Sequence, residues 1–256
     1  MTTYTRRQLL SLTVPAALGA TIAFANSSPG EDSVSNPVQK KLKVIVVGAH
    51  PDDPETTCGG IMALYSRSGH EVISAYLTRG EAGIEGKSHE ESAKIRTSEA
   101  LSACKILKAR PEFIGQIDGS CEITEKHYIP LLELFKKEQP DLIFTHWPLY
   151  THRDHRICSL LVYDAWLNLG KKSALYYAEA MTGVQTHNFM PTDYIDITAV
   201  ADQKHLACFV HKSQKIEEIY ADSHGKMEVF RGMESGYPFA EAFVRHAQSP
   251  ALYPGV

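Results

Sequence analysis

Short runs of apolar, often β-branched residues alternate along the chain with longer segments whose apolar residues recur at helical spacing. Residues 42–49 are typical of a central strand in a parallel sheet, and residues 57–68 show the spacing of a helix. The same alternation predicts further strands at 72–77, 113–117, 141–145, 174–177 and 194–197, and further helices at 90–107, 125–138, 156–169 and 202–220. This order favours an α/β fold, a mostly parallel sheet with helices on both faces of a single domain.

Composition excludes several classes of protein. The 256 residues are 43% hydrophobic and 22% charged, with a net charge of -4, which argues against a disordered, collagenous or coiled-coil chain. Lysine and arginine occur in runs no longer than a pair, so the chain offers no basic surface for a phosphate backbone. We therefore expect no nucleic-acid partner.

The first 25 residues resemble an export signal. Arg6 and Arg7 precede a weakly apolar stretch, residues 9–25, that ends in Ala-Phe-Ala, a pattern typical of the twin-arginine route. An uncleaved anchor or a frayed tail is the alternative. We expect residues 1–25 to be the signal, 26–41 a linker and 42–256 the folded domain, exported to the periplasm or the medium. After residue 25 no segment is apolar for long enough to span a bilayer, so the mature form should lack a membrane span.

The positions of the cysteines indicate that most of them pack in the hydrophobic core. The chain has five cysteines and no C-x-x-C pair, and an odd count leaves at least one thiol free. Four of them, Cys58, Cys104, Cys158 and Cys208, fall on helical patterns beside apolar neighbours. We therefore interpret them as core residues.

Polar clusters follow the first four predicted strands, where ligands bind in sheets of this kind. They are residues 50–55, 80–86, 118–119 and 146–155. The first turn carries Asp52 and Asp53 where a dinucleotide fold needs glycines, so it would repel phosphate and attract a cation. The segment from Gly80 to Gly86-Lys87-Ser88 is one residue too long for a P-loop and contains two glutamates.

A metal site is the chemistry that these clusters indicate. His50, Asp53 and either His152 or His155 would give zinc three protein ligands and leave one position open for water. A His-x-x-His pair is weak evidence alone. Its position after a strand, opposite His-Pro-Asp-Asp, strengthens it.

The two motifs together resemble the PIG-L/LmbE family of zinc-dependent N-deacetylases. The residues concerned are 49–55 (Ala-His-Pro-Asp-Asp-Pro-Glu), followed by Gly59-Gly60, and residues 152–155 (His-Arg-Asp-His). Similarity extends through residues 77–83, 96–99, 118–119, 211–214 and 240–243. The resemblance implies a Rossmann-like fold that removes acetyl groups from N-acetylglucosamine-type amines or cleaves related amides. It also implies His50, Asp53 and His155 as zinc ligands, Asp52 as general base and His152 as a second catalytic residue.

The positions of these residues along the chain are compatible with the implied roles. Adjacent Asp52 and Asp53 point in different directions, so one can bind metal while the other reaches the metal-activated water. A protonated His152 could stabilise the oxyanion and protonate the leaving amine, with Asp154 as its orienter and Tyr150 as an alternative donor. Asp52 could instead only cap the next helix.

The roles of the remaining polar residues are predicted less specifically. Arg96 and Asp118 are candidate binders of sugar hydroxyls, with ordinary helix and turn contacts as the alternative. Glu55 should either help to start a helix or orient the ring of the ligand candidate His50 by a direct contact. We assign His146 only a hydrogen bond at a strand end.

These observations predict an exported zinc-dependent deacetylase. It would act on a small molecule or oligosaccharide that contains N-acetylglucosamine, with one zinc, or another divalent transition metal, per chain. The alternatives are a zinc amidase that cuts a larger acyl group or conjugate, and a non-catalytic relative that binds glycan or metal.

Export makes a prediction about the mature N-terminus. Because Arg6 and Arg7 precede an apolar segment and an Ala-Phe-Ala site, the secreted protein should begin near Asn26. Mass spectrometry of the exported protein measures this directly. An intact Met1, or retention in the cytoplasm, contradicts it.

Overall fold

The computed structural model describes residues 40–250, which contain seven strands and seven α-helices. The strands are β1 (Lys43–Gly48), β2 (Glu71–Tyr76), β3 (Arg110–Phe113), β4 (Leu142–His146), β5 (Ala174–Ala178), β6 (Asp193–Asp196) and β7 (Ala240–Arg245). The helices are α1 (Asp53–Arg67), α2 (His89–Leu107), α3 (Glu125–Glu138), α4 (Arg153–Asn168), α5 (Ala201–Phe209), α6 (Ile216–Ile219) and α7 (His224–Ser235).

All seven strands form one sheet in the order β3-β2-β1-β4-β5-β7-β6. Strands β1 to β5 are parallel, and β7 pairs antiparallel with both β5 and β6. The chain moves outward from β1 to β3 and then returns to β4 on the other side of β1. This reversal opens a crevice at the carboxyl ends of β1 and β4.

Helices cover both faces of the sheet because alternate residues of each strand point to opposite sides. On one face, Val44 and Val46 of β1 pack in a cluster with Ile61 of α1. On the other face, Ile45 lies in a cluster with Trp166 of α4. All four cysteines expected in the core lie on helices, and all five cysteines of the chain are buried and free. The predicted Rossmann-like sheet and its helix layers are confirmed.

Two predicted elements differ from the structure, and two elements of the structure were not predicted. Strand β3 ends at Phe113 rather than beginning there, and Gly115, within the predicted strand, has φ +97°, which is incompatible with an extended strand. The predicted helix 202–220 is interrupted, since α5 ends at Phe209 and Lys215 has a left-handed φ of 54° that no helix accommodates. Helix α7 and strand β7 were not predicted.

The predicted export signal and residues 26–39 of the linker lie outside the described residues. Within residues 40–250, no helix combines the length and the apolar character needed to cross a membrane.

Helix α1 approaches its neighbours at Gly60. A Cβ atom added at Gly60 would lie 2.4 Å from Cγ2 of Ile197. The amides of Gly60 and Ile61 donate to the buried carboxylate of Glu241 at 2.7 and 2.9 Å, and Nζ of Lys204 lies 2.8 Å from the same group. A glycine is therefore required where α1, which begins at the candidate site, docks against β7.

Replacement of Gly60 by alanine should destabilise the protein, although alanine favours helices. Overpacking against Ile197 costs about 1 to 3 kcal/mol, more than the gain of about 1 kcal/mol in helix propensity. The control is Ser98→Ala on the exposed side of α2, which should raise stability by a few tenths of a kcal/mol. Urea unfolding measures both, and a Gly60→Ala protein as stable as the wild type contradicts the packing argument.

Candidate metal centre and active site

A cavity of about 560 Å³ opens at the carboxyl ends of β1, β4 and β5, within the size range of small-molecule sites. Its lining consists of His50, Asp52, Asp53, Thr56, Ala82, Gly83, Arg96, Asp118, Gly119, Thr151, His152, His155, Ala180, Met181, Gln185, Gln214, Ile216, Ile219 and His224. The loops that follow β1 to β5 thus contribute to one space.

Three ligand-type side chains meet at the edge of this cavity. Nε2 of His155 lies 3.3 Å from Nδ1 of His50 and 3.2 Å from Oδ1 of Asp53. Nδ1 of His50 lies 3.3 Å from Oδ2 of the same carboxylate. Ligand atoms in a tetrahedral zinc site are about 3.3 Å apart, as bond lengths of about 2.0 to 2.1 Å require.

Hydrogen bonding leaves a lone pair of His50 free for a cation. Nε2 of His50 lies 3.0 Å from Oδ1 of Asp118 and 3.3 Å from Oδ2 of Asp154. A proton on Nε2 satisfies these carboxylates, so in the neutral ring Nδ1 presents its lone pair to Asp53 and His155. The lone pairs of two neutral imidazoles and a charged carboxylate at these distances repel one another unless a cation lies between them. The residues present therefore fit a divalent metal.

Electrostatics favour the ligand forms of Asp53 and His155. Burial lowers the pKa of His155 well below its usual value despite the nearby Asp53, so the imidazole is neutral. Burial acts to raise the pKa of Asp53, but His155 and His146 outweigh it and hold that pKa well below the usual range. A charged carboxylate and a neutral imidazole are the ligand forms of these residues. At His50, burial acts to lower the pKa, but hydrogen bonds with Asp118, Asp154 and Asp53 outweigh it and hold that pKa well above its usual value, so a metal would displace a proton from the ring.

Asp52 occupies an unusual backbone conformation, with φ at 113°. Its amide donates to Oε2 of Glu55 at 3.2 Å, and Arg96 donates through Nη2 to the carbonyl of Pro51 at 2.5 Å and to Oδ2 of Asp52 at 3.1 Å. Burial raises the pKa of Asp52 to about 6, against the opposing effect of Arg96. The turn is thus held from two sides while its carboxylate faces the cavity.

Glu55 lies beneath this turn and is fully buried. It accepts hydrogen bonds from the hydroxyls of Tyr76 at 2.5 Å and Ser74 at 3.3 Å, and Nε2 of His211 is 3.4 Å away. The expected role at the helix start agrees with its bond to the Asp52 amide. The alternative role as partner of His50 is wrong, because Asp118 and Asp154 face that ring.

His152 and Asp154 begin α4. Nδ1 of His152 accepts from the Asp154 amide at 3.2 Å, and its ring centroid lies 4.8 Å from that of His50. Burial, with a smaller contribution from His50, lowers the pKa of His152. The Asp154 carboxylate accepts from the Gly119 amide at 2.7 Å and faces His50, so Asp154 contacts His152 only through its backbone.

The other predicted residues surround the cluster. Arg96 and Asp118 line the cavity, where Arg96 contacts the Asp52 turn and Asp118 contacts His50. Tyr150 is buried outside the cavity lining, and its ring packs edge-on against His146 and His155, at 5.2 and 4.7 Å between centroids.

Sequence reasoning missed how close His146 lies to the cluster. Its Nε2 accepts from the Ala49 amide at 3.1 Å and lies 3.3 Å from Oδ2 of Asp53, while its ring stacks on His155 at 4.1 Å. Its position in the sequence could have indicated this, because His146 ends the strand that flanks the reversal in strand order. Met181, Gln185 and His224 also line the cavity, from segments in which no sequence pattern indicated a site.

Comparisons of the sequence with known proteins point to a family of deacetylases. The sequence model of the PIG-L family, described as GlcNAc-PI de-N-acetylase, matches residues 45–166. The uncharacterized deacetylase YaiS of Escherichia coli is 31% identical over 144 residues, which cover 53% of this chain and 71% of the relative. Diacetylchitobiose deacetylase of Thermococcus kodakarensis is 26% identical over 228 residues, 81% of this chain and 84% of the relative.

A solved structure shows the same fold. The N,N'-diacetylchitobiose deacetylase of Pyrococcus horikoshii superposes with a TM-score of 0.72 at 25% identity, covering 86% of this chain and 91% of that one. The sheet, the two motifs and these matches place the chain in the PIG-L family of N-deacetylases.

Proposed function

We propose that the protein is a zinc-dependent hydrolase that removes the N-acetyl group from a substrate containing N-acetylglucosamine, releasing acetate and the free amine. The observation that carries the proposal is the meeting of His50, Asp53 and His155 beside Asp52, each pair with ligand-type atoms 3.2 to 3.3 Å apart, in a cavity of about 560 Å³. The named activity of the relatives on diacetylchitobiose supports the choice of substrate.

His50, Asp53 and His155 would hold the metal. Zinc bound there would act as a Lewis acid, lowering the pKa of a coordinated water and polarising the amide carbonyl. Asp118 and Asp154 fix the tautomer of His50 through Nε2, and Ala49 and Asp53 fix the position of His146.

Asp52 would act as the general base. Its carboxylate lines the cavity next to the ligand Asp53, and Arg96 holds one oxygen at 3.1 Å, which leaves the other free to accept a proton from the attacking water. A pKa raised to about 6 by burial brings the base closer to neutral pH than an ordinary aspartate.

His152 would stabilise the oxyanion through a hydrogen bond from Nε2, and the proton that Asp52 takes from the water would pass to the leaving amine. Because Nδ1 accepts a backbone hydrogen bond, the proton of the neutral ring is on Nε2. The lowered pKa favours this neutral donor over the protonated imidazole expected from the sequence. Tyr150 is the weaker candidate, since it lies outside the cavity lining.

We further propose that the enzyme is exported. The support is the sequence of residues 1–25, with Arg6-Arg7, an apolar segment and Ala-Phe-Ala. Cell-envelope or environmental glycans would then be the natural substrates.

Removal of a ligand should remove the metal together with activity. His50→Ala and His155→Ala should each lose most zinc after dialysis, as measured by elemental analysis, and lose acetate release from diacetylchitobiose. The control is His187→Ala, because this exposed residue bonds to Leu149 and Trp147 through its backbone. Full zinc occupancy in both ligand variants means that the ligand set is wrong, with His152 and His146 as the next candidates.

Asp52→Asn should separate catalysis from metal binding. The amide keeps an oxygen for Arg96 but cannot accept the proton, so kcat should fall by about 10² to 10⁴ while zinc content stays normal. In the wild type the rate should fall as pH drops through about 6, because protonated Asp52 cannot act as a base, and this limb should change in the variant.

Asp202→Asn, at an exposed carboxylate in the first turn of α5, is the matched control. Near-normal turnover of Asp52→Asn assigns the base to another residue. An Asp52→Asn protein without zinc makes Asp52 a ligand.

A further inference from the structure

We propose that the cavity selects N-acetylglucosamine derivatives whose remaining part is uncharged, and discriminates against conjugates that carry a carboxylate or phosphate. The inference rests on the proposed deacetylase function and adds a class of substrate to it. It follows from how the charged groups of the cavity are already paired.

Arg96 is the one lysine or arginine among residues 40–250 that lines the cavity. Its side chain is only 4% exposed. Nη2 donates to the carbonyl of Pro51 and to Asp52, and Nη1 lies 3.8 Å from Oδ2 of Asp118. A substrate anion would have to compete with two carboxylates for this guanidinium.

The balance of fixed charge at the site is negative. Four carboxylates, from Asp52, Asp53, Asp118 and Asp154, lie at or directly behind the cavity wall. A bound divalent cation and Arg96 supply three positive charges against these four. A second anion brought by the substrate would therefore be repelled as well as desolvated.

Nearby basic side chains do not change this balance. Lys212 pairs with Glu217, and Lys215 is exposed and does not belong to the lining. His224 does line the cavity, but burial lowers its pKa to about 4, so it is neutral at pH 7.

The rest of the wall suits a neutral, hydroxyl-rich molecule. The amides of Gln185 and Gln214 and the hydroxyl of Thr151 offer uncharged hydrogen-bonding groups. Met181, Ile216 and Ile219 provide apolar surface. Sugar rings present both kinds of surface, whereas a carboxylate buried here would find no free cation.

Matched substrates test the selection. N-acetylglucosaminyl malate and its dimethyl ester differ in charge and little in shape, and N,N'-diacetylchitobiose is a neutral reference. The wild-type enzyme should show a kcat/KM at least tenfold higher for the ester and for diacetylchitobiose than for the free malate conjugate. Calorimetric titration of the deacetylated malate product and of its ester should show the same preference in Kd, with or without zinc.

A new cation should reduce the preference. Gln185 bonds through its backbone to Met181 and Thr151, so its side chain can be replaced while the loop stays bonded. Gln185→Lys should raise the malate-to-ester ratio of kcat/KM several-fold, and Gln185→Met, of similar length and no charge, should leave that ratio unchanged.

The outcomes distinguish the two proposals. Equal or better hydrolysis of the malate conjugate by the wild type overturns the charge selection and leaves the deacetylase function intact. Failure to release acetate from any of the three compounds, with zinc bound, overturns the proposed function itself. A Gln185→Lys ratio equal to that of Gln185→Met also contradicts the electrostatic account.

Discussion

A buried carboxylate in contact with imidazole rings is the interaction on which the site depends. Asp53 lies within 3.3 Å of nitrogen atoms of His50, His146 and His155. Such a charge is costly to bury, and it is stabilised only because three separate segments of the chain meet at one point. The reversal of strand order between β1 and β4 brings these segments together, so the topology of the sheet and the chemistry of the site have one origin.

A second layer of polar residues gives the cluster its orientation. Asp118 and Asp154 face His50 from behind, and Glu55 and Arg96 hold the strained turn at Asp52. Strained backbone of this kind persists where surrounding contacts enforce it, and it is common at active sites. The helix start, the proposed base Asp52 and two of the three proposed ligands, His50 and Asp53, thus share one short turn, residues 50–55.

Periodicity predicted the buried parallel strands and most helices, because strands covered on both faces are continuous apolar runs. It failed at β7, where Glu241 is buried to receive the amides of Gly60 and Ile61, so the strand lacks an apolar pattern. The two motifs that contain the proposed metal ligands could be found in the sequence because each is a contiguous stretch of residues. The contacts of His146, Asp118 and Asp154 were not, since each depends on a distance across the sheet that no local spacing encodes.

Anomalous diffraction at the zinc edge, from crystals of the protein grown with zinc, addresses the ligand geometry most directly. The account predicts one strong peak about 2.0 to 2.2 Å from Nδ1 of His50, a carboxylate oxygen of Asp53 and Nε2 of His155, with Asp52 beyond bonding distance. A peak ligated by Asp52, His146 or His152 in place of one of these three, or the absence of a peak at this cluster, would contradict it.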